Sequence, residues 1–519
     1  MVNSSSQSST SPFSKGPISE VILENQNENM EYSRIKKPEI PLKLICTMLI
    51  LVCSVSCDQV FDPFSTEKNN GTIISESESY HLSVADAMDE NCEDHEAEGD
   101  ETWDSNHVTH ISLQGNTVTI KNAGSYLISG TLEDGQLIVD TKDNAIVRLI
   151  LDNVNISCSW SAAVYIANAE KVVIILADES KNQLIDGTSY VFEEEGGDEP
   201  NAALFSKDDL TICGSGRLSV KGNYNDGIAG KDGVIIKDGI IKVNAVDDGI
   251  RGKDYLILKN VDIQVTAGGD GMKSDEDEDV TKGYILVESG IIDIASGGDA
   301  IKAESDLLVS DGEITLSCGR GSDGYLDETI STKGIKASLH TVIDGGTITV
   351  DASDDAIHSN GTMSVNGGTM ILSTGDDGFH ADSILGINGG DITITGSYEG
   401  IESAVIAISR GNIHITCSDD GLNVAGGNDG SGRPGGPGWP GTDQFSSSGN
   451  YFLFINGGYV SINADGDGID VNGSIVMTGG EVIIDGPVFN MNGALDCDGV
   501  FQAVSYTHLR AHETVLDLV

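Results

Sequence analysis

Basic residues, aromatic residues and proline are all scarce in this chain. Only 29 lysines and arginines stand against 82 aspartates and glutamates, and the formal net charge is -53. A field of this sign repels nucleic-acid phosphates and anionic lipid surfaces, and it attracts divalent cations. Nucleic acid is therefore excluded as a partner. Aromatic residues make up 5% of the chain, with 10 prolines against 64 glycines. This balance suits many short strands joined by tight turns.

The nine cysteines contain no Cys-x-x-Cys pair and no even framework. Their spacing excludes a zinc site built on such pairs and a disulfide scaffold. We interpret Cys158, Cys213 and Cys417 as small apolar residues within strands.

No apolar run is long enough to span a bilayer as a mature helix. The longest, Leu44 to Val55, follows a cationic segment and leads through small residues to Cys57. This order is typical of a secretory signal, and its end resembles a bacterial lipobox with Ser54 in place of the usual leucine. We therefore expect residues 1–57 to be a leader and lipoprotein signal peptide, with Met30 as an alternative start. The exported protein would sit at the cell surface or outer membrane and touch the membrane only through lipid on Cys57. The alternative is an ordinary signal peptide.

Two further segments fall outside the expected fold. Residues 58–105 are polar and acidic, and we expect them to form a tether. Residues 504–519 share nothing with the preceding repeats and resemble a translated sequencing-adapter read-through, so we expect this tail to be non-native.

A short motif, Asp-Gly-Ile or a close variant, recurs through the middle of the chain. Its aspartate stands at 226, 248 and 270, and again at 355 and 377, so that successive copies lie 22 residues apart. Each period alternates apolar and polar residues, as in Thr369–Ser373, and Gly-Gly pairs such as Gly367-Gly368 precede many alternating runs. One period holds about three short strands and three corners, which makes it one coil of a stacked solenoid.

We therefore predict an all-β fold, a right-handed parallel β-helix with coils of about 22 residues, over residues 106–503. A Gly- and Pro-rich loop insertion occupies 426–449. Coils stack at about 4.8 Å, and the hand follows from the rule for parallel crossovers. A β-propeller needs roughly twice this period and is discounted. We expect a monomer.

Stacking places the motif aspartates above one another in a column. Bare carboxylates about 5 Å apart repel by roughly 3 kcal/mol at an effective dielectric near 20. Calcium, which takes carboxylate and carbonyl oxygens, would relieve this repulsion. The expected calcium ligands are Asp226, Asp247, Asp248, Asp270, Asp299, Asp354, Asp355, Asp376 and Asp377. The alternative is that each aspartate only caps its own turn.

A second column lies three residues after each aspartate and is basic over several coils. Arg251, Lys273 and Lys302 either neutralise the aspartates or form a groove for sugar carboxylates. Trp439 lies in the 426–449 insertion and is a candidate for stacking on a sugar ring.

Three runs are distinctive: residues 199–212, residues 222–228 and residues 246–254. Together they resemble a family of bacterial carbohydrate-binding β-helix proteins, formerly a domain of unknown function. The resemblance implies a pectate-lyase-like fold, bound calcium, and affinity for cellulose or acidic polysaccharide such as polygalacturonate. It implies no catalytic residue.

We expect a non-catalytic, calcium-dependent surface adhesin for plant cell-wall polysaccharide. One alternative is a calcium-dependent, pectate-type polysaccharide lyase, for which Arg251, Lys273 or Lys302 would supply the base. The other is a structural surface spacer.

Overall fold

Parallel strands of three to eleven residues form almost all of the regular structure. The computed structural model describes residues 79–91, 95–96, 99–115, 117–192, 196–324, 329–425, 451–487, 492–504 and 508–512. All of these belong to one compact unit, residues 73–519. The expected leader with Cys57, the 426–449 insertion with Trp439, and residues 513–519 lie outside the described residues.

The N-terminal part contains one helix and the first strands. They are α1 (Val84–Glu90), β1 (Val108–Leu113), β2 (Val118–Ile120), β3 (Gly124–Leu132), β4 (Leu137–Asp140), β5 (Val147–Ser157), β6 (Val164–Asn168), β7 (Val172–Leu176), β8 (Lys181–Ile185), β9 (Ala202–Ser206), β10 (Leu210–Cys213) and β11 (Arg217–Gly222).

The central coils follow in regular order. They contain β12 (Asp226–Gly230), β13 (Val234–Lys237), β14 (Ile240–Ala245), β15 (Ile250–Gly252), β16 (Tyr255–Lys259), β17 (Val261–Ala267), β18 (Met272–Ser274), β19 (Tyr284–Val287), β20 (Gly290–Ser296), β21 (Ile301–Ala303), β22 (Leu307–Val309), β23 (Glu313–Cys318), β24 (Ile335–Ala337), β25 (His340–Ile343) and β26 (Thr347–Ala352).

The C-terminal coils complete the stack. They contain β27 (Ile357–Ser359), β28 (Thr362–Val365), β29 (Thr369–Thr374), β30 (Phe379–Ile387), β31 (Asp391–Gly396), β32 (Ile401–Ile408), β33 (Asn412–Cys417), β34 (Leu422–Val424), β35 (Phe452–Ile455), β36 (Tyr459–Ala464), β37 (Ile469–Val471), β38 (Ser474–Met477), β39 (Glu481–Asp485), β40 (Phe501–Ala503) and β41 (His508–His512).

Each regular coil contributes one strand to each of three faces. In the coil β12–β14, β12 pairs with β15, β13 with β16 and β14 with β17, all in parallel. We call these face A, face B and face C, and the long strands β30 and β32 serve faces A and B in turn. The predicted parallel β-helix with a 22-residue period is confirmed, since Ile250 pairs with Met272 and Ile357 with Phe379.

Aliphatic ladders fill the interior. On face A, Ile228, Ile250 and Met272 stack in register, and all three are fully buried. Face C shows the strict alternation of β17, in which Val261, Ile263 and Val265 point inward. Burying one such side chain contributes roughly 1.5–3 kcal/mol, so repetition along the stack is the main source of stability. Cys158, Cys213 and Cys417 are buried free thiols, as expected of apolar residues.

The Gly-Gly pairs form corners, as predicted. The second glycine has positive φ, 93° at Gly346 and at Gly368. A side chain is strained in that region of φ, which explains why glycine recurs there.

The described residues within 79–101, which are 79–91, 95–96 and 99–101, form a strap along face B. Val84 and Ala87 of α1 are buried in a cluster with Tyr284, Leu308 and other face B residues. The acidic residues of the strap meet the lysines of face B: Lys259 Nζ lies 2.5 Å from Glu96, and Lys171 Nζ lies 2.7 Å from Asp100. The expectation of a solvated tether therefore differs from the structure over these residues, because their acidic groups neutralise lysines and their apolar groups complete a core.

The ends of the stack lie near the expected boundaries. The first strand begins at Val108, and β40 ends at Ala503. His508–His512 adds a further strand beside β39. The non-native origin of residues 504–519 remains a prediction. No helix among the described residues is long and apolar enough to cross a membrane.

Candidate functional site

The basic column of the sequence is a ladder on face A. Arg251 pairs with Lys273, Lys273 with Lys302, Lys302 with Lys336, Lys336 with His358, and His358 with His380. The ladder continues through Glu402, Asn423 and Asp470. From Arg251 to His358, each member sits at the centre of a three-residue strand whose flanking residues are buried. We call this row the face A ladder.

The motif aspartates lie beside the ladder and link successive coils. Asp248 Oδ1 accepts a hydrogen bond from the backbone N–H of Asp270 at 2.9 Å, and Asp270 Oδ1 accepts one from Asp299 at 2.9 Å. Asp355 does the same for the N–H of Asp377 at 3.1 Å. The aspartates therefore cap the next coil rather than their own turn, and they satisfy donors that the corners leave outside the strand pairing.

In the N-terminal half of the ladder, cations neutralise the aspartates. Arg251 Nη2 lies 3.1 Å from Asp226 Oδ2. Lys273 Nζ lies 3.3 Å from both Asp248 Oδ2 and Asp270 Oδ2, and Lys302 Nζ lies 3.7 Å from Asp270 Oδ2. Burial raises the pKa of Asp226 to about 7, although Arg251 opposes this shift. These carboxylates already have cationic partners, so this half of the column fits calcium poorly.

Lys333 forms the last lysine–carboxylate ion pairs of the column among the described residues. Its Nζ lies 2.5 Å from Asp354 Oδ1 and 2.6 Å from Asp355 Oδ2. Although burial opposes it, Lys333 holds the pKa of Asp355 well below its ordinary value. Asp354, Asp355 and Asp376 place one oxygen each within 4.8 Å of one another.

The C-terminal half of the column carries an excess of carboxylates. Burial, and then the carboxylates of Asp377 and Asp355, raises the pKa of Asp376 to about 8. Burial and the neighbouring Asp419 raise the pKa of Asp420 to about 8. An oxygen-rich environment of this kind fits a divalent cation such as calcium. Of the predicted ligands, Asp376 therefore fits best, while Asp247 is exposed and Asp299 accepts hydrogen bonds from Ser331 Oγ and the N–H of Lys333.

The residue after the motif aspartate is small because the interior is tight at that point. A Cβ on Gly227 would lie 2.3 Å from Val243 Cγ1 and 2.7 Å from the carbonyl oxygen of Gly249. The small residue at this position is therefore explained by packing.

Sequence reasoning missed an aromatic cluster near the start of the ladder. Tyr190 and Tyr224 stack with ring centroids 4.2 Å apart, and Phe192 lies 6.3 Å from Tyr224. Trp160, which is exposed, lies in the neighbouring coil, where its carbonyl accepts the N–H of Val191. The sequence signal for this cluster was the concentration of aromatic residues between 160 and 224, in a chain that has few of them.

This cluster adjoins the ladder through Asp226. Tyr224 precedes Asp226 by two residues, and Asp226 contacts Arg251. Tyr190 is held by hydrogen bonds from its hydroxyl to Asp186 Oδ2 and to the carbonyl of Ala202. A flat aromatic surface thus leads into a row of charged groups that can hydrogen-bond to hydroxyls.

A family and one protein similar to this chain share a description. The model of a family described as "Carbohydrate-binding domain-containing protein" matches residues 114–378, just over half of the chain. A protein of the same name from Acetivibrio thermocellus is 42% identical over 141 residues, which cover 27% of this chain and 49% of that protein. The matched segment thus spans about half the length of that relative.

A solved structure, described as the polysaccharide lyase-like protein from C. thermocellum in a gadolinium derivative, is 28% identical. It covers 54% of this chain and 96% of its own, with a TM-score of 0.39. On the match over residues 114–378, this chain belongs to the family of carbohydrate-binding domain-containing proteins.

Proposed function

We propose that this protein is a non-catalytic, surface-attached carbohydrate-binding protein that holds cell-wall polysaccharide along face A. The observation that carries the proposal is the face A ladder, a row of charged side chains repeated at the coil spacing and adjoined at one end by partly exposed aromatic residues. Repeated weak contacts suit a polymer, because avidity replaces a single tight pocket. The family name supports carbohydrate as the ligand class.

Face A is favoured over face B because the strap occupies face B. The strap runs from Tyr80, which is hydrogen-bonded to Thr362, to Asp100, which pairs with Lys171. A polysaccharide chain would have to displace those contacts. The ladder side chains remain partly exposed, with 23% for Lys273 and 28% for Lys302.

Two ligand types follow from the chemistry of this face. The aromatic cluster suits a neutral glucan such as cellulose, whose ring faces are apolar. An acidic polymer such as polygalacturonate must overcome the net charge of -53, and calcium at the acidic end of the column, around Asp376, would bridge polymer and protein. Binding of the acidic polymer should therefore depend on calcium, and binding of cellulose should depend on it less.

The state of the ladder cations supports binding without cleavage. A lyase needs a base with a lowered pKa. Burial would lower the pKa of Lys273, but the carboxylates of Asp248 and Asp270 raise it above its usual value. The pKa of Arg251 is likewise raised, because the carboxylates of Asp226 and Asp275 outweigh the opposing effect of burial. Both groups hold their protons, which favours a binding role.

The proposal is tested by pull-down of the exported protein on insoluble cellulose and on polygalacturonate, with calcium and with EDTA. We expect binding to both, with that to polygalacturonate lost in EDTA, and a severalfold decrease for Lys302→Ala. The matched control is Lys242→Ala, an exposed lysine of face C. Absorbance of unsaturated uronides is followed in parallel. A steady rise would establish the lyase, and binding to neither polymer would favour the structural spacer.

Surface attachment rests on the order of residues before Cys57. Labelling with a fatty-acid analogue in a bacterial host tests it, and we expect label in the natural sequence and none in Cys57→Ser. Equal labelling of the two proteins would exclude this anchor.

A further inference from the structure

The face A ladder changes chemistry at one rung. His380 pairs in register with Glu402, so a carboxylate replaces the cation of the preceding rungs. His380 Nδ1 lies 3.0 Å from Asp377 Oδ2 and 3.0 Å from Glu402 Oε2. The side chains are 13%, 7% and 2% exposed for His380, Asp377 and Glu402. One ligand atom from each of the three lies within 4.8 Å of the others.

A single proton cannot satisfy this arrangement. Nδ1 carries at most one hydrogen, yet two carboxylate oxygens lie at hydrogen-bonding distance from it. Glu402 Oε1 is buried and has no hydrogen-bond partner among the described residues. Glu399, also buried, adds a third carboxylate and accepts one hydrogen bond from Asn423 Nδ2 at 2.7 Å. Unpaired buried carboxylates are costly, so the cluster calls for a further positive charge.

At the preceding rung of the ladder, the corresponding carboxylate has enough positive charge around it. His358 stacks beneath His380 with centroids 4.7 Å apart, and its Nδ1 lies 2.8 Å from Asp355 Oδ2. There Lys333 supplies the missing charge, 2.6 Å from Asp355. Within the described residues, no lysine or arginine forms an ion pair with Asp377, Glu399 or Glu402.

We propose that Asp377, His380 and Glu402 bind a divalent transition-metal ion of the zinc type. Imidazole and carboxylate donors suit Zn²⁺ and its neighbours, whereas calcium takes oxygen donors alone and needs six to eight of them. The far side of the ring supports the assignment. A metal-bound histidine usually donates its second N–H to a carboxylate; His380 Nε2, which is buried and has no hydrogen-bond partner among the described residues, lies 3.3 Å from Asp382 Oδ1.

Three protein ligands leave a coordination position open for water or for a ligand oxygen. His380 and Glu402 lie beyond residues 114–378, the segment that the family model matches. Asp377 lies within that segment, and the evidence for the site is the geometry of the three side chains rather than the carbohydrate proposal.

Titration of the chelator-treated full chain with Co²⁺ tests the site, because cobalt reports its coordination through visible d–d absorption. We expect one Co²⁺ per chain, displaced by one equivalent of Zn²⁺ but not by excess Ca²⁺. Glu402→Gln and His380→Gln should abolish the bands. Asp382→Asn should weaken affinity by roughly 10–100-fold, the usual effect of removing a partner of a metal-bound histidine.

The matched control is His358→Gln. His358 stacks on His380, but its partner Asp355 is already neutralised by Lys333, so this variant should bind Co²⁺ normally. Glu402→Gln conserves shape and removes a buried charge, so its metal-free melting temperature should equal or exceed that of the natural protein. Unchanged bands in Glu402→Gln, loss of the bands in His358→Gln, or thiolate charge-transfer absorption that assigns the ion to cysteine would each overturn the proposal.

Discussion

Arg251 reaches from one coil to the carboxylate of Asp226 in the coil before it, with Nη2 3.1 Å from Oδ2. Asp226 is 1% exposed, so this contact ties two coils together through a buried ion pair. Removing one partner of such a pair leaves an uncompensated charge, which typically costs 3–5 kcal/mol.

We therefore expect Arg251→Met to lower the free energy of unfolding by at most about 3 kcal/mol at pH 7, the low end of that range. Burial raises the pKa of Asp226 to about 7, so the carboxyl can take up a proton when it loses its partner. The double variant Asp226→Asn/Arg251→Met should recover at least about 1 kcal/mol, because no buried charge remains. Urea denaturation measures both. Lys302→Met, whose cation is partly exposed and 3.7 Å from Asp270, is the control and should change stability by less than about 1 kcal/mol. Equal losses in the single and double variants would mean that packing, not charge, dominates.

Tyr224 should contribute to binding of neutral glucan. Tyr224→Ala removes a partly exposed ring at the start of the ladder, and a loss of about 1.4 kcal/mol corresponds to tenfold in affinity. Depletion assays on cellulose would show this change. Tyr459→Ala is the matched control, since Tyr459 lies on face C, where it packs against His414. A similar loss in both variants would place the glucan elsewhere.

Calcium should stabilise the protein through the C-terminal half of the column. An ion that binds only the folded state adds about 2.7 kcal/mol at a hundredfold excess over its dissociation constant. We expect a higher melting temperature in calcium than in EDTA, with a smaller difference in Asp376→Asn and Asp420→Asn. Asp248→Asn, whose carboxylate already pairs with Lys273, should retain the difference. The reverse order of effects would move the ion to the N-terminal half.

Asp232 should make stability fall as the pH rises. Burial, together with the carboxylates of Asp209 and Asp254, raises its pKa to about 6, above about 3.9 in the unfolded chain. Between these values the folded state binds more protons than the unfolded state, so its stability is lost as pH rises through the folded pKa.

Asp232→Asn should therefore stabilise the protein at pH 8 and have little effect at pH 4. Because the group is only half-buried, we expect about 1 kcal/mol rather than the full value of the shift. Denaturation curves at the two pH values measure the difference. Asp262→Asn, an exposed position on face C, should show none.

The strap should be released by a charge on the buried side of α1. Ala87 is 2% exposed within the face B cluster, whereas Ala85 of the same helix is exposed. Ala87→Asp should speed cleavage of the strap by a glutamate-specific protease, and Ala85→Asp should leave the rate unchanged. Mass spectrometry of the fragments would identify the sites. Equal rates would show that the ion pairs at Glu96 and Asp100 hold the strap without its apolar contacts.

Much of the solenoid could be predicted because each coil repeats the same sequence pattern. The 22-residue spacing of the Asp-Gly-Ile motif and the Gly-Gly corners predicted both the period and the register, and Arg251, Lys273 and Lys302 indeed lie in one ladder. The strap could not be predicted this way. Residues 79–101 show no repeat in the sequence, and their acidic composition predicts a solvated segment. Only the structure shows that these acidic residues pair with the lysines of face B.

The sequence by itself determined the stacked β architecture, because alternation and a constant period leave few other ways to bury the aliphatic residues. Only the tertiary structure decided which carboxylates have partners. Asp355 and Asp377 are equivalent in the motif, yet Lys333 reaches the first and none of the described lysines or arginines pairs with the second. The reason is that the residue one coil before Asp355, at the motif position, is Lys333, whereas the residue at that position before Asp377 is Asp355, so only the first carboxylate is preceded by a cation.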